Sequence, residues 1–556
     1  MKKLVFALAL AVSIFAQAQK GAIDDRSRTK MQQELDFIGS LFSTAYAPRV
    51  WKQTHLGWDL SAQMSLAQAR LAAAQNMDEA RRVVADLLYS TADYHVGFSF
   101  FSTEVATLPF QVKTVQGKTL IVYVDRSKLG DEAFPFQVGD ELLTMNGVPV
   151  SQVLGEMVKI NGANVPGTDL AIADLNVTRR RGARGIFNVP NGPVAVSVKR
   201  ATDDSVGTAQ LVWEYTPEEL HRGSGQLLSR NQSSFLSRKM ISPRAMDFMT
   251  ADENPYGLGG RKPFLPNLGE RVWETAADNT FDAYIYRNEE GRLIGVVRIF
   301  GYIVDDYKKA ISDFTGIMTH FQKHTEAMVI DQNNNPGGSV FYLYALASLV
   351  SDQTLTVPRH QIAILDSDAQ ECVDFQKTLV GVKNDTDAQK VLGEEMDGYP
   401  ATYQLALGIS DYCNFLMKEY NAGKFLSEPY YLWGVDKITP NKSAYTKPIA
   451  ILVNQLDFSG GDFFPAILQD NKRVTVVGVR TAGAGGYVQD VQYPSAFGLQ
   501  HFSFTGSLAE RVNLQPIENL GVTPDVALEM TVDDVRNSYK NYLDGVRTVV
   551  KGLVSK

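Results

Sequence analysis

Between residues 448 and 479 the sequence PIAILVNQLDFSGGDFFPAILQDNKRVTVVGV lays out an aliphatic run, a glycine-rich turn, a short apolar helix and a second aliphatic run. Runs without polar interruption suit strands covered on both faces, so 448–453 and 474–479 read as buried strands. Residues 463–468 read as the helix between them, with Pro465 tolerated in a first turn where its missing N–H is not needed. Strand, helix, strand is a crossover unit of a parallel sheet, and its hand should be right-handed. Ser459 falls between the carboxyl end of a strand and the amino end of a helix. A hydroxyl is held rigidly there, and free N–H groups can face an anion. A helix-capping serine fits the same place equally well.

The same alternation runs through the C-terminal half. Residues 281–286, 293–299 and 327–331 read as further strands, and 340–350 and 535–550 as helices, with a largely helical insertion at 352–446. This predicts an α/β core built on a mostly parallel sheet. At 556 residues the chain exceeds what one hydrophobic core spans,. Residues 29–88 carry apolar positions at three-to-four spacing and predict helices. Residues 107–215 change to short alternating strands separated by Gly, Pro, Asn and Asp. Within them Val138-Gly139-Asp140 through Asn146-Gly147 resembles the hairpin of PDZ-type modules, which take an extended peptide along a sheet edge,. Residues 150–190 exceed such a module and read as an insertion. Residues 218–278 are the least patterned and read as a mobile connection. A sharper reading makes them a protease-sensitive cover that must be displaced before the site works. The expected layout is a leader at 1–18, a helical region at 19–106, a PDZ-like module at 107–217, the connection at 218–278 and the core at 279–556.

Lys2 and Lys3, the apolar residues 4–15 and Ala16-Gln17-Ala18 form a secretory leader,. Export to a periplasm or beyond is therefore expected, and no later run is long enough for stable membrane insertion. A net charge of −8 argues against nucleic acid as partner,. The triplet Arg179-Arg180-Arg181 reads as a solvated surface turn. Cys372 and Cys413 are the only cysteines, enough for one bridge in an oxidising compartment but not for a metal site built on thiolates,. His320 and His324 share a helix face without a third ligand and read as solvated.

A second turn, Asp331-Gln332-Asn333-Asn334-Asn335-Pro336-Gly337-Gly338-Ser339, lies between a buried strand and an apolar helix. Its Pro-Gly-Gly lets the backbone approach a ligand closely, and it ends at a helix N-terminus with unpaired N–H groups. Taken with Ser459 and Gly478-x-x-Thr481-x-Gly483-x-Gly485, it resembles the C-terminal-processing and tricorn-like serine peptidases of family S41. The family implies a crotonase/ClpP-like core and a PDZ-like module upstream. Many of these enzymes use a lysine about twenty-five residues beyond the serine as general base, and that place is Ala484 here. A serine without a neighbouring base is a weak nucleophile, so either another residue serves or the chain is inactive.

Asp93-Tyr94-His95, the block from Asn335-Pro336-Gly337-Gly338-Ser339 to Tyr344, Thr481 to Gly486 and Ile517 to Val522 are similar to a branch of this family that works with a Ser-His-Glu triad. That resemblance implies Ser459 as nucleophile, His95 as base and Glu518 as the orienting carboxylate, with N–H groups of Gly337, Gly338 and Gly460 binding the oxyanion. It also implies a serine endopeptidase acting on protein or peptide substrates, no cofactor or metal, and a homodimer. Two other readings stay open: a non-catalytic peptide-binding scaffold on this fold, and a protease confined to C-terminal tails.

Overall fold

The computed structural model describes residues 23–219, 240–241 and 256–555. The expected leader and most of the expected connection (220–239 and 242–255) lie outside them. A seven-stranded sheet runs in the order Arg271–Glu274, Ala283–Arg287, Leu293–Arg298, Ala327–Asp331, Ile449–Val453, Thr475–Gly478, Val526–Ala527. The first two pairings are antiparallel and the other four parallel.

Its two central strands are buried at every residue, because helices cover both faces. Met328, Ile330, Ile449 and Ile451 pack with the helices Tyr307–His324, Val340–Ser348 and Gly460–Asp470. Their neighbours Ala327, Val329, Ala450 and Leu452 point the other way, onto Lys540–Val554. Strand side chains alternate between faces, so a doubly covered strand reads as one continuous apolar run. The helix expected at 535–550 is instead two, Val532–Arg536 and Lys540–Val554. Ser538 and Tyr539 between them have φ of 52° and 60°, which no continuing helix permits.

The N-terminal helices Asp25–Thr44, Arg49–Leu56, Leu60–Ala73 and Met77–Tyr89 bury their apolar faces in a second core. That core is shared with the strand Gly97–Phe100, which pairs antiparallel with Leu499–Thr505. Residues about 400 positions apart are thereby stitched together.

The module after residue 104 is a six-stranded antiparallel sheet. The expected insertion forms two helices, Val150–Asn161 and Pro166–Val177. Arg179–Arg181 is not a solvated turn: it pairs with Val105–Thr107 as a short strand. Arg180 reaches inward to the Met157 sulfur at 2.9 Å, its aliphatic stem covering apolar surface.

Residues 256–278, read from sequence as part of the mobile connection, are packed. Leu258 and Leu268 are buried, and Arg271–Glu274 supplies the edge strand of the sheet. Further back, the backbone of Met240–Ile241 pairs antiparallel with Gly337–Gly338. Cys372 and Cys413 are free buried thiols on the neighbouring helices Asp366–Leu379 and Tyr403–Asn421. Among the described residues no helix is long and apolar enough to cross a membrane.

Candidate active site

The strand Ile449–Val453 ends in a turn whose geometry is fixed by Asp457. This buried carboxylate accepts from the N–H groups of Asn454 and Asn335, both at 2.9 Å, and from the Gln332 amide at 3.3 Å. Burial pushes its carboxyl well above the ordinary range. The Phe458 N–H donates to Asn335 O at 2.8 Å. The two turns singled out in the sequence are thus one unit, lashed together by backbone groups that would otherwise be buried without partners.

Ser459 follows with φ 56° and ψ −110°, and then the helix Gly460–Asp470 begins. A residue bearing a Cβ is strained in that conformation, and such strain concentrates at functional sites. Its side chain is fully buried, and its hydroxyl has no hydrogen-bond partner among the described residues. Pro465 lies in the second helical turn, not the first as expected. Its missing N–H frees the Gly461 carbonyl, which accepts from the Gln332 side chain at 2.7 Å instead.

Three expected glycines converge beside Ser459. A Cβ on Gly460 would stand 3.1 Å from Gly337 Cα and 3.3 Å from Gly338 N, and one on Gly338 would lie 2.1 Å from the Tyr302 carbonyl. Only glycine permits this closeness. The Gly337 N–H, however, donates to Asn335 Oδ1 at 2.9 Å. In this structure that N–H is thus engaged within its own turn, whereas Gly338 pairs through its backbone with Met240.

Asp462 joins this elbow to the loop after the next strand. One oxygen accepts from Thr481 Oγ1 at 2.5 Å and Gly483 N at 2.8 Å, the other from Ser459 N at 2.8 Å and Ala484 N at 2.9 Å. Burial pushes it up to about 6, against those four donors. Ala484, in the family's lysine position, is buried in an apolar cluster with Tyr94, Phe458 and Ala482. The next residue, Gly485, donates to Glu518 Oε2 at 2.9 Å, and its missing Cβ leaves room for the Glu518 backbone.

Glu518 is fully buried, so it is no surface turn residue. Its other oxygen accepts from the ammonium of Lys52, also fully buried. His95 is buried in the turn that opens the strand Gly97–Phe100. Its N–H donates to Asp93 Oδ1 at 2.8 Å and its carbonyl accepts from Ser503 at 3.0 Å. Asp93 Oδ2 accepts from Tyr46 at 2.8 Å and Thr505 at 2.7 Å. Side-chain nitrogen or oxygen atoms of Asp93, His95 and Glu518 all lie within 4.8 Å of one another. Tyr94 meets Phe458 edge-on at 5.4 Å, so the residues just before His95 and Ser459 touch.

Burial pushes Glu518 up to about 7, with the Asp93 charge adding and Lys52 opposing. Burial acts on Asp93 too, but the charges of Lys52 and His95 and the hydroxyls of Thr505 and Tyr46 outweigh it and hold Asp93 below the usual range. Every carboxylate oxygen of the cluster already accepts a protein hydrogen, so the arrangement suits proton handling better than a metal ion. His320 and His324 are not part of that cluster: their rings lie 4.5 Å apart, and His320 stacks on Trp273 at 4.2 Å.

Sequence reasoning missed Asp457, Asp462 and Lys52. Asp462 carried a signal, an acidic residue three places after a serine at a helix start. Lys52 carried none.

A buried serine on a strained strand-to-helix turn, backed by paired glycines, defines the class. The family model described as peptidase family S41 matches residues 293–528, and a PDZ domain model matches 104–220. The chain belongs to peptidase family S41, whose members are serine peptidases. Within that family it is similar along nearly its whole length to chlamydial proteins. An uncharacterised protein of Chlamydia muridarum is 34% identical, covering 94% of this chain and 92% of its own. The crystal structure of mature CPAF, the chlamydial protease-like activity factor, superposes with a TM-score of 0.84 at 32% identity, covering 96% of this chain and 98% of that one. A complex of mature CPAF with lactacystin superposes at 0.83, with 32% identity and coverage of 96% and 100%.

Proposed function

We propose that this chain is an exported serine endopeptidase in which Ser459, His95 and Glu518 form the triad. The observation that supports this reading is the burial of all three residues, with a strained, unpartnered serine hydroxyl on an elbow tied through Asp462 to the loop 483–485, whose Gly485 N–H holds the Glu518 carboxylate beside the His95 ring. His95 takes the Ser459 proton as Oγ attacks the scissile carbonyl, while Glu518 holds the imidazole tautomer and stabilises the imidazolium. N–H groups of Gly338 and Gly460 receive the oxyanion, and losing one such donor typically costs ~10²–10³-fold in turnover. The imidazolium returns its proton to the leaving amine, and water then hydrolyses the acyl-enzyme.

Residues in the expected connection restrain this site until they are cut, in the same proposal. The support is the backbone pairing of Met240–Ile241 with the Gly337–Gly338 pair that faces the substrate carbonyl. A homodimer belongs to the proposal on family grounds alone. Fluorophosphonate should label Ser459, and the labelling should vanish in His95→Ala. Full labelling of that variant would reject the triad. Lactacystin, the ligand named in the CPAF complex, should compete for the label. Cleavage of an internal site in a tail-blocked peptide should separate endopeptidase action from tail-specific processing, and intact mass of wild type against Ser459→Ala should reveal self-cleavage.

A further inference from the structure

A lysine is almost never fully buried unless it is paired, yet Lys52, from the helix Arg49–Leu56, has no exposed surface. Its ammonium donates to Ala92 O at 2.7 Å, to Asn519 Oδ1 at 2.8 Å and to Glu518 Oε1. An ammonium has three protons to give, and all three are placed. Asn519 is itself oriented: its amide donates to Ala92 O at 2.8 Å and to Asn164 Oδ1 at 2.7 Å, which turns its oxygen toward Lys52 and toward Trp51 Nε1 at 3.0 Å. The cage therefore fits the charged form of lysine and offers no site where a neutral amine would do better.

The groups facing Glu518 make the consequence clear. Lys52 reaches it from the helix Arg49–Leu56, and Asp93 and His95 from the turn before Gly97–Phe100, while Tyr46, between the first two helices, bonds Asp93 and feels the Glu518 charge. Gly485 N–H comes from the loop above, and Arg480 holds the carbonyls of Asn519 and Leu520 behind it. Two buried carboxylates this close do not both stay ionised without a cation between them. With Lys52 present, the imidazolium that forms during acyl transfer brings the cluster to neutrality. Without it, Glu518 would take up a proton and lose its hold on that imidazolium.

We propose that Lys52 is a positioning residue, acting through Glu518: it keeps the carboxylate ionised and fixed beside the His95 ring. This rests on the triad reading given above. It differs from the lysine of other family members, which acts as a base near the position of Ala484. Lys52 comes from the opposite end of the chain, its protons are committed, and its partner is the carboxylate rather than the serine.

The test uses the full chain and labelled casein, with kcat and KM measured from about pH 5 to 9. Lys52→Met should lower kcat by ~10–100-fold at neutral pH with KM within ~2-fold, because only the transition state loses support. Its acid limb should move up by ~1 unit or more, so that part of the loss returns at high pH. Lys52→Arg, which retains a cation, should leave that limb within ~0.5 unit of wild type, and it carries the test if Lys52→Met does not fold. In a Glu518→Gln background, Lys52→Met should change kcat by less than ~3-fold, since the group it acts through is gone. An unmoved acid limb in Lys52→Met, a limb shifted by Lys52→Arg as far as expected for Lys52→Met, or an equal loss in the Glu518→Gln background would overturn the proposal. Wild-type turnover in Glu518→Gln alone would instead reject the triad.

Discussion

Replacing the Ser459 side chain should stabilise the protein while removing the proposed nucleophile. Two costs meet at this residue. Its hydroxyl is buried without a hydrogen-bond partner among the described residues, at about 1–3 kcal/mol. Its backbone sits at φ 56° and ψ −110°, a strain of about 1–3 kcal/mol for a residue with a Cβ. Ser459→Ala lifts only the first cost and should gain about 1 kcal/mol. Ser459→Gly lifts both, but the freer unfolded chain takes back about 0.5–1 kcal/mol and the small void about 1 kcal/mol more. These ranges sum to between about 0 and 4.5 kcal/mol, with about 2 kcal/mol at their middle. For a cooperative unit of ~150–250 residues a gain of about 2 kcal/mol raises the thermal midpoint by about 4–8 °C. Both substitutions belong in a His95→Ala background, so that self-cleavage does not distort the comparison. Ser339→Ala is the control: that buried serine does have a partner, Asp397 Oδ2 at 2.6 Å, and its loss should cost about 1–2 kcal/mol. If Ser459→Ala and Ser459→Gly melt lower than their parent, as Ser339→Ala does, the hydroxyl is satisfied and the elbow is not strained.

His95→Ala should abolish casein hydrolysis while the unfolding midpoint stays within ~2 °C of Ser459→Ala; a folded variant with wild-type turnover would refute its role. Burial pushes Glu518 up to about 7, with Asp93 adding and Lys52 opposing, and burial pushes Asp174 up to about 7 as well. Both bind a proton more tightly folded than unfolded, so the stability they contribute is complete below about pH 4 and is lost as the pH rises through 7. From about pH 6.5 to 8 the denaturation midpoint should therefore fall while proteolysis, which under the proposed triad needs Glu518 ionised, should rise; both rising together would refute this. Gly485→Ala would place a Cβ 2.3 Å from Glu518 N, and the forced displacement should cost ~10²-fold in turnover; unchanged kinetics would show that the turn at 517–521 has slack. Iodoacetamide should modify neither Cys372 nor Cys413 in the native protein and both in denaturant, since each is buried and free; rapid native labelling would contradict their burial.

The parallel core was legible because its strands are covered on both faces and leave unbroken apolar runs, as at Ile449–Val453. The N-terminal helices were legible from their spacing. The break at Ser538 and Tyr539 was not, because neither residue is the Gly that favours a left-handed turn or the Pro that interrupts a helix. Arg179–Arg181 misled because charge suggests solvent, whereas a long side chain can bury its stem and keep its head bonded, as Arg180 does. At the site, the quoted turns held Ser459 and the glycine pair, but nothing local revealed that Asn335 already claims the Gly337 N–H. Lys52 was invisible for a stronger reason: an isolated lysine on a helix gives no sign that the far end of the chain will close over it.

That closure has a consequence for how activity arises during synthesis. The turn that carries His95 opens a strand that pairs with Leu499–Thr505, and two of the three acceptors of Lys52, Glu518 and Asn519, lie far down the chain. In a growing chain His95 and Lys52 of the proposed site therefore come first, Ser459 hundreds of residues later and Glu518 after it. No chain that stops short of residue 518 holds the proposed triad. Under that proposal the order of the residues by itself keeps a nascent copy inactive, before any covering segment is needed.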